Sequence, residues 1–151
     1  MTTDDDVLTY LDSSLLGRAY LADEPGHQAA VALLEDPDVV LVTSTLTRIE
    51  VTGLLVRAAR SGRCDEAVLL SALRADLGVD GPVTTLVSPQ QDVERVALEI
   101  TGTHGVRALD ALHVAVAHLA GRALADGEPV AFATRDSAQA DVAAAYGFVC
   151  L

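Results

Sequence analysis

Apolar residues recur along the chain in two alternating patterns. Short, nearly continuous β-prone runs occur at Val7 to Leu11, Val39 to Val42, Thr84 to Val87, Val130 to Ala133 and Phe148 to Leu151, as suits strands buried on both faces. Between them, apolar positions at three- and four-residue spacing predict helices over Gln28 to Glu35, Leu46 to Arg60, Asp65 to Leu77, Asp92 to Ile100, Leu109 to Ala123 and Ala138 to Tyr146. Several of these are bounded by Gly, Pro or Asp. Strands alternating with helices predict an α/β fold with a mainly parallel sheet covered by helices. The turns Asp36-Pro37-Asp38, Asp80-Gly81-Pro82 and Asp126-Gly127-Glu128-Pro129 are too short to separate domains. Residues 1–151 are therefore expected to form a single domain, with 1–6 as a flexible acidic tail.

Composition narrows the picture. Half of the 151 residues are hydrophobic, enough for a sizeable core, but aromatics make up only 3% and Trp is absent, so Leu, Val and Ala must fill it. Cys64 and Cys150 lie far apart without C-x-x-C spacing, which argues against a disulfide framework or zinc site and for a reducing, cytoplasmic setting. Met1 to Asp6 is polar and acidic, unlike a secretory leader, and no apolar run approaches the roughly 20 residues that span a bilayer. A soluble protein without membrane attachment is expected. The net charge of −12 opposes binding of polyanions. All ten basic residues are Arg, which disfavours chemistries that depend on a lysine ammonium, and no Gly-rich G-K-[ST] run is present.

The candidate chemistry is acidic. In open α/β sheets, ligands gather beyond the carboxyl ends of strands, where Asp12 and Asp136 fall. Each is equally a natural helix N-cap, and Asp136 with Gln139 has capping-box spacing. Glu50 lies in the helix after the second strand with no basic residue at i±3 or i±4, so no ion pair within the helix explains it, although Thr47 and Glu50 have capping-box spacing too. Asp110 sits in a helix apolar on nearly every side, where a carboxylate needs a partner; Arg107 at i−3 or the helix N-terminus can supply one. If these four acids converge, their repulsion calls for a divalent cation, and oxygen ligands select Mg2+ or Mn2+. Ser13, Thr134, Arg107 and His113 are secondary candidates for holding a carboxylate or the substrate. His113 reads equally as a hydrogen-bonded core histidine, and the two hydroxyls as capping groups. Arg57, Arg60 and Arg63 recur near one helix end, either as a local basic strip or as a solvated helix terminus.

Four segments in this order, Tyr10-Leu11-Asp12-Ser13-Ser14, Thr43 to Glu50, Arg107 to Ala115 and Ala133-Thr134-Arg135-Asp136, resemble PIN-domain ribonucleases, in particular VapC-type toxins. The likeness spans almost the whole chain. It implies a PIN-like three-layer α/β/α sandwich, Mg2+ or Mn2+ dependence, and RNA cleavage. It also implies a homodimer and inhibition by a VapB-like antitoxin protein. Asp12, Glu50, Asp110 and Asp136 would be the catalytic metal ligands, and Thr134 the hydroxyl before the last acid. A phosphotransfer domain with Asp after its first strand is disfavoured by the missing lysine. A catalytically silent PIN-like module that binds RNA or protein is the remaining alternative.

Overall fold

The computed structural model describes residues 7–151; the acidic tail expected over 1–6 lies outside the described residues. Five parallel strands form one sheet: β1 (Val7–Leu11), β2 (Val39–Ser44), β3 (Val83–Leu86), β4 (Val130–Ala133) and β5 (Val149–Cys150), in the order β3-β2-β1-β4-β5. β1 is central, with Thr9 opposite Leu41 on one side and Ala131 on the other. The two-residue spacing of a strand divides the core into two layers. Leu8, Tyr10, Val42, Val130 and Phe132 face one layer, completed by α5 (Gln90–His104), α6 (Ala108–Val116) and α8 (Ser137–Ala145). Leu11, Leu41, Val83 and Ala133 face the other, packed against α1 (Ser13–Tyr20), α3 (Thr45–Arg60) and α4 (Glu66–Asp76). This is the parallel sheet covered by helices that the alternating pattern predicted and the three-layer α/β/α sandwich that the resemblance implied. Both faces of the central strands are covered, which explains their unbroken apolar runs.

Two elements differ from the sequence expectation, while α2 (His27–Glu35) matches it to within one residue. α1 is an eight-residue helix that the apolar spacing did not single out; it forms because Leu15, Leu16 and Tyr20 bury one face. α2 follows Gly26, whose φ of 84° is open to glycine at little cost. The single helix expected over Leu109 to Ala123 is instead α6, a π-helical turn over Ala117–Gly121 and α7 (Arg122–Ala125), which ends where Asp126 and Gly127 both adopt positive φ. Among the described residues, no helix is long and apolar enough to cross a membrane.

Candidate active site

Because β1 leads to β2 on one side and the chain returns through α5 and α6 to β4 on the other, the strand order reverses between β1 and β4, and a crevice opens beyond their carboxyl ends. A cleft of about 630 Å3 lies there, lined by Asp12, Glu50, Asp110 and Asp136 with Ser13, Ser14, Arg57 and Arg107; Ile49, Leu54 and Leu109 add apolar walls. Four acids spread over 125 positions of sequence thus share one concavity. Among the described residues, no three His, Cys, Asp or Glu side chains stand close enough together to form a ready-made metal cage.

Asp12 caps α1 and is buried. The Leu15 N–H donates to its Oδ1 at 2.9 Å, Ser14 Oγ reaches both carboxylate oxygens at 2.9 and 2.8 Å, and Thr134 Oγ1 lies 2.7 Å from Oδ2. Burial raises its pKa, and these hydrogen bonds with the charge of His113 only partly offset the rise. The capping and functional readings of Asp12 are therefore compatible. Ser14, which sequence reasoning passed over in favour of Ser13, also accepts the Arg135 N–H at 3.0 Å and so joins the ends of β1 and β4. Its signal was its place two residues after a capping Asp. Ser13 instead lines the cleft with Glu50, whose pKa it helps to lower.

Asp136 caps α8 through the Gln139 N–H, but the expected capping box is only half made. The Asp136 N–H donates to Thr134 Oγ1 at 3.0 Å, while the buried Gln139 side chain turns inward, with Oε1 2.8 Å from Thr134 Oγ1 and Nε2 3.4 Å from the Asp110 carbonyl. Thr134 has one proton for two acceptors, Asp12 and Gln139, so its hydroxyl is a junction between two carboxylate-bearing segments. On α3, the Thr47–Glu50 capping box does not form: the helix starts at Thr45, and Thr47 Oγ1 accepts from Thr43. Glu50 instead meets His113, whose Nε2 is 2.6 Å from Oε1. His113 Nδ1 lies 2.8 Å from the Tyr10 hydroxyl, which reaches Ser44 Oγ at 3.0 Å. Burial pushes Glu50 up, but the hydrogen bond and charge of His113, with Ser13, outweigh it and hold the carboxyl below the usual range. His113 is thus a core histidine as the bland reading had it, yet it orients Glu50 from the facing helix.

Asp110 lies in the first turn of α6, where a negative charge suits the helix dipole. Burial raises its pKa first and the nearby Asp136 charge second, with Arg107 partly compensating. Arg107 spans both acids, with Nε 3.5 Å from Asp110 Oδ2 and Nη2 3.4 Å from Asp136 Oδ2. The arginines of α3 do not form a strip. Arg57 lines the cleft, Arg60 is exposed, and Arg63, beyond the helix, pairs with Asp23 and Glu24 at 2.8 and 2.7 Å. The donors facing the cleft are carboxylates and hydroxyls, hard oxygen ligands that match Mg2+ or Mn2+ better than softer ions. Asp12, buried and without an ion-pair partner among the described residues, is the carboxylate with most to gain from a cation.

Comparison with known proteins agrees with the fold. No curated protein sequence matches the chain. The structure resembles PAE2754 from Pyrobaculum aerophilum at a TM-score of 0.61, with 22% identity, covering 95% of this chain and 83% of that one. It also resembles VapC20 of Mycobacterium tuberculosis, a toxin that cleaves the sarcin-ricin loop, at a TM-score of 0.62 with 24% identity, covering 93% of this chain and 96% of that one. At these identities the likeness is one of fold. The family profile described as PIN domain matches residues 9–145, and the chain belongs to the PIN-domain family.

Proposed function

We propose that the protein is a metal-dependent endoribonuclease that acts as the toxin of a VapBC-like toxin–antitoxin pair, with 1–151 as one catalytic domain. The observation that carries this reading is that Asp12, Glu50, Asp110 and Asp136 all line one cleft at the switch point of the sheet. These four residues would hold Mg2+ or Mn2+. When bound, the ion supplies an acidified water and neutralises charge building on a phosphate. The chain's own contribution is to hold the carboxylates ready. Thr134, Ser14 and the Leu15 N–H fix Asp12, and His113 fixes Glu50 and keeps it ionised at neutral pH. Arg57 on the cleft wall provides local positive charge despite the net charge of −12. In this reading the water is the nucleophile and the reaction is hydrolysis without a covalent intermediate, while Ser14 positions Asp12. The likeness to VapC-type toxins supports a cytoplasmic homodimer restrained by a VapB-like antitoxin.

The test is cleavage of a mixed RNA pool by purified protein with Mg2+ or Mn2+, against chelator and against Asp12→Asn and Asp110→Asn. Cleavage should require the metal and disappear in both variants while circular dichroism stays unchanged. Expression without a partner should slow bacterial growth, and Asp110→Asn should relieve it. Absence of cleavage by wild-type protein with retained RNA binding would instead favour the catalytically silent module.

A further inference from the structure

Two acids of the cleft are bridged by an arginine that holds neither tightly. The Arg107 guanidinium contacts Asp110 at 3.5 Å and Asp136 at 3.4 Å, while strong charge-assisted bonds close to about 2.7–2.9 Å. Its side chain is 82% exposed and keeps most of its hydration, so each contact contributes little and leaving costs little. It sits at the N-cap of α6 in extended backbone, so the side chain can turn outward while the helix stays in place. Asp110 and Asp136 repel one another, and Arg107 is the cation that tempers them.

We infer that Arg107 is an internal counter-cation that occupies the approach to Asp110 and Asp136 until a divalent ion displaces it, and that the displaced guanidinium then grips a phosphate of the substrate. This rests on the proposed nuclease reading. A dication brings two charges to the same carboxylates, which leaves the guanidinium surplus and repelled. Five N–H donors in a planar fork then face a cleft that must accept a phosphodiester, a shape that guanidinium meets with paired hydrogen bonds. One residue would thereby oppose metal binding and favour substrate binding. A purely structural role for an exposed side chain gives no such pair of opposite effects.

Arg107→Gln separates the two. Arg74→Gln, which removes the same charge from an exposed site on α4 outside the cleft, is the control. Calorimetric titration with Mn2+ alone should show Arg107→Gln binding about fivefold tighter than wild type, as expected for losing a weak competing ion pair. With Mn2+ saturating, KM for a mixed-sequence fluorogenic oligoribonucleotide should rise about tenfold, the loss expected for one charge-assisted phosphate contact, with kcat changing less. Arg74→Gln should alter neither. Mn2+ affinity unchanged or weaker in Arg107→Gln overturns the counter-cation role, and unchanged KM overturns the phosphate role. Wild-type protein that binds no Mn2+ defeats the nuclease reading itself.

Discussion

Replacing His113 by Asn tests how the protein presents Glu50. Asn places a polar group near the former Nδ1 and can keep the Tyr10 contact, but it cannot span the 2.6 Å bond from Nε2 to Glu50. A hydrogen bond to a charged group contributes about 1.5–3 kcal/mol, and with the Glu50 side chain 25% exposed the lower part of that range applies. The void left by the imidazole adds to this, and the sum is about 2–3 kcal/mol of lost stability at neutral pH. At about 2–4 °C per kcal/mol for a chain of this size, the melting temperature should fall by about 4–12 °C. The loss also has a signature in pH. His113 holds Glu50 below its ordinary value of 4.5, so the stability it contributes is present above that value and is lost as pH falls through the lowered pKa. Urea unfolding of dilute wild type and His113→Asn from pH 7 to pH 4 should show a constant gap that begins to narrow below about 4.5. A gap under about 0.5 kcal/mol at pH 7, the level of an ordinary surface substitution, or one that widens on acidification, would refute the reasoning.

Asp12→Asn should raise the melting temperature at neutral pH while abolishing cleavage. The raised pKa of Asp12 means its contribution to stability falls away as pH rises through that pKa, so the gain from the neutral isostere should vanish in acid; a lower melting temperature at pH 7 would contradict this. Gly81→Ala should cost about 1–3 kcal/mol, because a Cβ there would stand 2.3 Å from the carbonyl oxygens of Ala75 and Asp76, which are backbone and cannot swing aside. Gly17→Ala should cost less, since its added methyl meets the mobile end of Leu54; equal losses in urea unfolding would count against this distinction.

What was legible in the sequence was whatever local pattern dictates. The runs at Val7 and Val130 suited buried strands, and Asp12 and Asp136 beyond their ends followed from that placement. Asp110 stood out because its helix is apolar around it, and Arg107 at i−3 was visible as its partner. Contacts between elements were not legible. That Arg107 also reaches Asp136, that His113 serves Glu50 rather than Asp110, and that Gln139 abandons its capping box for Thr134 depend on how α6 and α8 lie against α3 and β1. Ser13 and Ser14 are chemically identical neighbours, and only the geometry of the first turn of α1 decides which one holds Asp12.

The claim on which the functional account depends is that these carboxylates receive a divalent ion together. Anomalous diffraction from crystals soaked in Mn2+ would test it most directly. The account predicts a peak in the cleft coordinated by Asp12 and Asp110, with Arg107 turned away from both acids. A fully soaked crystal with no peak there, or with manganese only at other acidic surfaces, would contradict it.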